Sequence, residues 1–216
     1  MAMGVAAAAA STCFAASPGL CLSRHRSRIR AQATSWAGNA EELVRSGTVR
    51  PVRPRDARDL LGVEGFRLLD VRPEWERARA GVHGSAHVPL FVGDDDMGLV
   101  TLLKKWVHFG YIGLWTGQSF TKMNDRFLDD VAAAVAGDGK DAKLLVACGE
   151  GLRSLIAVRM LHDDGYKNVA WLAGGFSKCV DGDFADVEGE SKLQYATIGG
   201  VSYIFLQLLL LLGVVK

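Results

Sequence analysis

The stretch that decides the fold is Lys143 to Met160, KLLVACGEGLRSLIAVRM. It begins with a short, mostly apolar run over residues 143–147, which predicts a buried parallel strand. From Arg153 onward apolar residues recur at helical spacing, so a helix is expected directly after a short loop. The loop, residues 148–153, starts with a cysteine at the carboxyl end of the strand. Strand, loop and helix in this order are typical of an α/β fold with a parallel sheet.

The loop between this strand and helix predicts a nucleophilic site. A strand end, a glycine-bearing turn and a helix N-terminus together direct backbone N–H groups at the Cys148 sulfur, which suits an anion. The helix N-terminus and Arg153 both favour the thiolate over the thiol. Glu150 is discordant, because its negative charge within the loop would weaken anion binding. The alternative is a buried packing cysteine without chemical importance.

The spacing Cys-x-x-Gly-x-Arg-Ser over residues 148–154 resembles the active-site loop of the rhodanese-like family, whose members carry sulfane sulfur as a cysteine persulfide. The resemblance implies that Cys148 accepts the sulfur, that Arg153 balances its charge, and that no metal or organic cofactor takes part. It also implies a cradle for the substrate or anion formed by Gly149, Glu150, Gly151, Leu152 and Ser154. Cysteine-dependent phosphatases place five residues between the cysteine and the arginine, whereas this loop has four, which favours a persulfide.

Two further stretches resemble signatures of the same family. Leu68-Leu69-Asp70-Val71-Arg72 ends a second predicted strand, and the double glycine 174–175 is expected to start the last helix. By analogy Asp70 and Arg72 brace the catalytic loop by ion pairing and hydrogen bonding, and Glu74 is a candidate to join them. The alternative is a surface salt-bridge network after a core strand, which would contribute little on its own.

Residues 48–185 are therefore predicted to form one rhodanese-like domain. The resemblance implies a mostly parallel sheet with helices on both faces and the site at the carboxyl ends of the strands. Residues 49–52 fit an edge strand, since Pro51 is tolerated there. Residues 121–135 fit an amphipathic helix that begins at a threonine and buries the side of Phe127.

The N-terminal segment has the composition of a targeting sequence. Residues 1–33 are rich in alanine, contain no acidic residue and carry four arginines, at positions 24, 26, 28 and 30. This resembles a plant chloroplast transit peptide and predicts a chloroplast location, at the thylakoid or another plastid membrane. Residues 34–47 are predicted to be an exposed linker with a short helix. The alternative for the leader is a disordered, low-complexity tail.

Charge and cysteine content exclude several classes of function. Without the four leader arginines, 21 basic residues face 24 acidic ones, so no basic stripe for nucleic acid is expected. Only Cys148 and Cys179 lie beyond the leader, without a C-x-x-C pattern, and the histidines are dispersed. Neither a metal site nor a disulfide framework is predicted. Cys179 is either a packing cysteine or a partner that resolves a persulfide or disulfide with Cys148.

Two apolar segments exceed what a minimal domain needs. An insertion over residues 93–121 combines a predicted helix from Leu99 to Trp106 with the aromatic residues Phe109, Tyr111 and Trp115. Such a segment could form a lid, a membrane-surface element or a patch for a partner, or it could fold back onto the sheet as core.

The C-terminal segment is the second of these. Residues 196–215 carry no charge and would span about 30 Å as a helix, which predicts a C-terminal transmembrane helix. The alternatives are a helix buried in an oligomer and a helix packed on the domain.

Taken together, the sequence predicts a sulfurtransferase-like protein. Cys148 would take sulfane sulfur from a small donor and pass it to a thiol, a protein acceptor or another nucleophile. The competing hypothesis is a catalytically weak, membrane-tethered docking or scaffold module that keeps the fold, because Glu150 and the aromatic insertion both depart from a minimal transferase.

Overall fold

The structure is a computed structural model, and it describes residues 40–214. Its strands are β1 Arg50–Val52, β2 Arg67–Asp70, β3 Ala80–Val82, β4 Ala86–His87, β5 Phe91–Gly93, β6 Thr121–Met123, β7 Lys143–Ala147, β8 Asn168–Leu172 and β9 Val187–Gly189. Its α-helices are α1 (residues 40–45), α2 Pro54–Gly62, α3 Glu74–Arg79, α4 Leu99–His108, α5 Leu114–Thr116, α6 Phe127–Ala134, α7 Leu152–Asp163 and α8 Gly200–Leu211. A π-helical segment, Phe109–Gly113, joins α4 to α5, and 3-10 turns cover Gly139–Asp141, Phe176–Lys178 and Leu193–Tyr195.

The central sheet has five parallel strands in the order β1-β8-β7-β2-β4. Strand β7 lies in the middle, where Val146 pairs with Leu69 of β2 on one side and with Trp171 of β8 on the other. The predicted α/β fold with a mostly parallel sheet is confirmed. Because parallel strands end at the same edge, the residues that follow β2 and β7 meet there.

The core covers both faces of this sheet. Alternate residues of β7 enter two separate apolar clusters, Leu144 and Val146 on one face and Leu145 and Ala147 on the other. A strand that is buried on both faces reads as a continuous apolar run, which is why the sequence pattern identified it. The end of β7 is therefore a rigid base for the cysteine that follows.

Two predicted elements differ from those in the structure. Residues 121–123 form strand β6, which pairs with β5, and the helix begins only at Phe127 because Asn124 makes a turn and accepts the Arg126 N–H through its side chain. Phe127 is buried as predicted. The double glycine starts only a short 3-10 turn, Phe176–Lys178, and not the predicted helix.

The predicted C-terminal transmembrane helix over 196–215 is not observed at that length. Helix α8 covers only Gly200–Leu211, since Gly199 before it is extended and Gly213 after it has a left-handed φ of 68°. Among residues 40–214, no helix is long and apolar enough to cross a membrane.

The two other predictions at the ends of the domain have mixed outcomes. The transit peptide over 1–33 lies outside the described residues. Of the predicted linker, residues 40–45 are helical, and Ala40 is buried rather than exposed. The aromatic side chains of the insertion do not fold back as core, because Trp106 is 76% and Tyr111 is 85% exposed.

Candidate active site

The Cys148 sulfur lies at the end of β7 and has three hydrogen-bond donors around it. The Gly151 N–H donates at 3.0 Å and the Ser154 N–H at 3.3 Å, and the Ser154 hydroxyl lies 3.3 Å from the sulfur and 2.9 Å from the Gly151 carbonyl oxygen, between which its one proton is shared. Gly151 has a φ of 96°, a left-handed conformation that suits glycine and turns its N–H toward the sulfur. Of the five residues predicted to form the cradle, Gly151 and Ser154 donate to the sulfur of Cys148, which is fully buried.

The outer side of the loop is braced by the segment after β8. The Phe176 N–H donates to the Cys148 carbonyl and the Ser177 N–H to the Gly149 carbonyl, each at 2.8 Å. A Cβ on Gly175 would lie 2.4 Å from the Cys148 carbonyl oxygen, so only glycine allows this approach. The double glycine thus positions the loop instead of starting a helix.

Trp171 braces the helical side of the loop, and the sequence analysis overlooked it. Its indole N–H points at the Gly151 carbonyl (3.0 Å) and the Ser154 hydroxyl (3.2 Å). The signal was available, because β8 neighbours β7 in a parallel sheet and a tryptophan near its carboxyl end can reach the loop after β7.

Arg153 forms a bidentate ion pair with Glu76, with N–O distances of 2.8 and 2.6 Å. Burial alone would lower the pKa of Arg153, but the hydrogen bonds and charge of Glu76, together with the nearby Cys148 sulfur, raise it above its ordinary value. Glu76 is almost fully buried, at 1% exposure. The sequence analysis named Glu74 as the candidate carboxylate, and the structure brings Glu76 to the loop instead.

Asp70 and Arg72 form a buried ion pair at the end of β2. The Arg72 guanidinium donates to both Asp70 carboxylate oxygens and to the Ala80 carbonyl, and it stacks over the Phe176 ring at 4.3 Å. Both side chains are fully buried, so the alternative of a surface network is wrong. None of their hydrogen bonds within the described residues reaches the Cys148 sulfur, and their contact with the loop runs through Phe176.

A cleft of about 270 Å³, open to solvent, lies above the sulfur. Glu150 and Leu152 line it from the loop, and Leu152 is 64% exposed. Thr197 closes one side so tightly that a Cβ on Gly149 would lie 2.1 Å from its methyl group. The remaining lining is mostly apolar or neutral and consists of Pro73, Trp75, Phe91, Gln118, Ser119 and Thr121.

The charged side chains of the cleft give it a net negative balance. Arg153 is already paired with Glu76, which leaves the Glu150 carboxylate without a positive counterpart among the lining residues. Within residues 40–214, no group of three or more His, Cys, Asp or Glu side chains could hold a metal ion. The arrangement presents a thiol, hydrogen-bond donors and an acidic rim.

Cys179 is a buried free thiol outside the cleft. Burial, with the negative charge of Asp183, raises its pKa from 9.0 to about 12, against a smaller lowering by Arg72. Because it is 4% exposed, it matches the packing alternative.

The raised pKa of Cys179 predicts a loss of stability at alkaline pH. Below pH 9 the thiol is protonated in both states, but above it only the unfolded chain releases the proton, so unfolding becomes easier as the pH rises toward 12. Each pH unit in that window costs about 1.4 kcal/mol. Between pH 8 and pH 10.5, the free energy of unfolding should fall by about 2 kcal/mol more in the wild type than in Cys179→Ala. Parallel urea titrations measure this difference, and equal losses would contradict it.

Comparison with known proteins is consistent with this geometry. A family profile described as Rhodanese-like domain matches residues 53–181. Rhodanese-like domain-containing protein 10 of Arabidopsis thaliana is 57% identical over 176 residues, which cover 82% of this chain and 81% of that protein. Rhodanese-like domain-containing protein 11, chloroplastic, of the same plant is 39% identical over 81% of this chain and 57% of its own length. A thiosulfate sulfurtransferase structure from Pseudomonas aeruginosa is 21% identical, with a TM-score of 0.38 over 68% of this chain and 22% of that one.

Proposed function

The chain belongs to the rhodanese-like domain family, which includes sulfurtransferases, and we propose that it carries sulfane sulfur as a persulfide on Cys148. The observation that carries the proposal is the set of three donors from Gly151 and Ser154 around the Cys148 sulfur at the floor of a cleft. Donors fixed by the fold stabilise a sulfur anion without reorganisation.

The first half-reaction loads the cysteine. The Cys148 thiolate attacks the sulfane sulfur of a donor, a new S–S bond forms, and the bond from that sulfur to the rest of the donor breaks. The donor leaves with the bonding electron pair, as sulfite from thiosulfate, as a thiolate from a persulfide, or as the enolate of pyruvate from 3-mercaptopyruvate, whose C–S bond breaks. Arg153 balances the negative charge of the Cys148 persulfide while Glu76 holds the guanidinium in place.

The second half-reaction unloads it. An acceptor thiolate attacks the outer sulfur, the S–S bond to Cys148 breaks, and the Cys148 thiolate is restored with the electron pair. The acceptor leaves as a persulfide, so no external oxidant or reductant is consumed. Cys148 is a thiolate at both the start and the end of the cycle, so the N–H groups of Gly151 and Ser154 stabilise the same negative charge in both states.

The acidic rim supports a donor or acceptor that is not strongly anionic. The Glu76 carboxylate offsets part of the positive charge of Arg153, and Glu150 adds a further negative charge, so the net charge of the cleft disfavours a dianion such as thiosulfate. The apolar lining, with Trp75 and Leu152, suits the side chain of a thiol or of a protein-borne persulfide. These features favour thiols over inorganic anions as partners.

Turnover is the test of this proposal. The full chain, incubated with thiosulfate or 3-mercaptopyruvate and with cyanide as acceptor, should release thiocyanate faster than the uncatalysed reaction. A chain that is inert with both donors and carries no persulfide contradicts it and favours the scaffold hypothesis.

Replacing Glu150 with glutamine should improve the use of thiosulfate. The substitution removes one negative charge beside the incoming dianion, and we expect kcat/KM for thiosulfate to rise about five- to tenfold at low salt. The gain should be smaller for 3-mercaptopyruvate, whose charge is lower, and should shrink at high salt because of screening.

The matched control for this variant is Glu64→Gln. Glu64 is an exposed carboxylate whose backbone accepts a hydrogen bond from Lys143, at the opposite end of β7 from Cys148. Its kcat/KM should not change. A similar gain in both variants, or a gain at Glu150 that is independent of salt, would show that the carboxylate does not act through its charge on the donor.

We also propose that the protein works in plastids. The relative named as chloroplastic and the acid-free, arginine-bearing leader over residues 1–33 support this location. Isolated chloroplasts should import the radiolabelled full chain and shorten it, and a chain that stays outside and protease-sensitive would contradict the proposal.

A further inference from the structure

Helix α4 is amphipathic, but its polar side faces the domain and its apolar side faces outward. Its inward side is polar: Thr101 donates to the Asp96 carboxylate, and the Lys105 ammonium donates to the Asp96 carbonyl. Its outward side is apolar, and Leu103 (63%), Trp106 (76%) and other large side chains are exposed. A helix that covers a water-soluble core has the opposite arrangement.

The segment that continues α4 keeps this character. The π-helical segment and α5 follow without a break, and they expose Phe109, Tyr111 and Trp115 at 60%, 85% and 53%. Between residues 97 and 121 the charged residues are two lysines, Lys104 and Lys105. The outward side is thus a run of aliphatic and aromatic residues with Lys104 beside it, while the Asp96 carboxylate lies against the inward side of α4.

Helix α8 consists almost entirely of apolar residues, and its large exposed ones lie within one half of its circumference. It has no buried residue, and Ile204, Phe205 and Leu208 are 68%, 59% and 51% exposed. Residues 193–215 contain no charge. A helix that is apolar all round normally lies within a large core or in lipid.

The end of the first segment, at α5, and the start of α8 lie in close contact at the domain surface. A Cβ on Gly200 would lie 2.4 Å from the Leu114 carbonyl oxygen, and one on Gly117 would lie 2.6 Å from the Gly200 nitrogen. Arg79 fixes the start of α8 by donating to the Ile198 carbonyl at 2.5 Å. The apolar sides of both segments therefore start from one place on the domain surface.

We propose that these outward sides, which we call the apolar ridge (the exposed apolar residues of 99–115 and 204–212), form a contact surface for a lipid bilayer. The side chains of the apolar ridge enter the boundary between headgroups and acyl chains, with the aromatic residues at the headgroup level. Lys104, which is exposed, faces anionic headgroups. The domain then sits on the membrane with the Cys148 cleft beside it, because Gln118, Ser119 and Thr197 line the cleft and adjoin the two segments.

A bilayer fits the apolar ridge better than a protein partner does. A partner or a second copy covers one face of a helix, whereas α8 is also apolar on its other side, where Leu206 and Leu210 are only partly buried. The hydrogen-bonding groups on the exposed sides belong mainly to Lys104, Trp106, Tyr111 and Trp115, together with Gln207 of α8. Lysine, tryptophan and tyrosine have an apolar body and a polar tip, and such side chains are typical of the membrane–water interface.

Vesicle binding tests this inference independently of sulfur transfer. The full chain should co-sediment with phosphatidylcholine vesicles that contain phosphatidylglycerol. Two triple variants test the two segments separately. The first combines Leu103→Gln, Trp106→Gln and Val107→Gln, and the second combines Ile204→Gln, Phe205→Gln and Leu208→Gln. Each should lower the partition coefficient by about tenfold or more. Because these residues are exposed, circular dichroism should show an unchanged fold.

The matched control is Val63→Gln with Val180→Gln, which removes apolar side chains of similar exposure, 84% and 64%, outside the apolar ridge. Its partition coefficient should equal that of the wild type. Wild-type partition in both triple variants overturns the proposal. A lipid-free dimer that the triple variants dissociate and vesicles do not would also overturn it, in favour of a second copy as the occupant.

A local readout separates the apolar ridge from the leader. Brominated phosphatidylcholine quenches tryptophan fluorescence only within the bilayer, so it should quench the wild type. The double variant Trp106→Phe with Trp115→Phe keeps the apolar character and should lose most of the quenching. Equal fractional quenching in both proteins would place the contact elsewhere and contradict the proposal.

Discussion

Replacing Cys148 with serine should abolish sulfur transfer. A serine oxygen can accept the N–H groups of Gly151 and Ser154, so the loop keeps its shape, but it cannot form a persulfide. We expect kcat/KM to fall by about three orders of magnitude or more with every donor, as for other enzymes that lose their nucleophile. The measurement is thiocyanate release by the full chain with a thiosulfate or 3-mercaptopyruvate donor.

The matched control is Cys179→Ala, which removes the other buried thiol of the described domain. Cys179 does not line the cleft, and its raised pKa keeps it protonated at neutral pH, so this variant should keep its activity. Turnover that persists in Cys148→Ser and is lost in Cys179→Ala would assign the sulfur-carrying role to Cys179 and refute the account.

Replacing Asp70 with alanine should cost more stability than any substitution at the surface. The change leaves the Arg72 guanidinium buried at 0% exposure without its carboxylate, and breaking a buried pair in this way typically costs about 3–5 kcal/mol. The midpoint of urea unfolding should fall accordingly. Since Arg72 stacks on Phe176, which holds the Cys148 carbonyl, activity should fall as well.

Two further variants separate a buried charge from a simple loss of contacts. Glu64→Ala breaks the exposed pair with Arg50 and should change stability by less than about 1 kcal/mol. Adding Arg72→Met to Asp70→Ala removes the stranded charge and should restore part of the loss. If the double variant is less stable than Asp70→Ala alone, the unpaired charge is not the cause.

The loop after β7 could be predicted because its signals are local. A buried strand on both faces, a glycine-bearing turn and a helix follow one another within residues 143–160, and the register of parallel strands then places Asp70 near the same edge. The carboxylate that pairs with Arg153 could not be predicted from the sequence in this way. Glu74 and Glu76 lie in the same short helix, and only the orientation of α3 in the folded chain decides that Glu76 is buried against the arginine.

The apolar segments show a different limit of sequence reasoning. The hydrophobicity of a segment indicates that burial away from water is favourable, but it does not show whether protein or lipid covers the segment. The sequence of the insertion was therefore compatible with a core segment as well as a surface segment, and residues 196–215 were predicted to be a transmembrane helix. In the structure the helix of the second segment is limited to Gly200–Leu211, and the insertion turns its polar residue Thr101 inward.

The most direct measurement of the central claim is the mass of the full chain after exposure to a donor and removal of the excess. The account predicts an increase of one sulfur atom, localised by peptide mapping to Cys148, absent in Cys148→Ser, present in Cys179→Ala, and lost when a thiol acceptor is added. A chain that gains no sulfur at Cys148, or one that keeps it in the presence of acceptors, would contradict the proposed transfer.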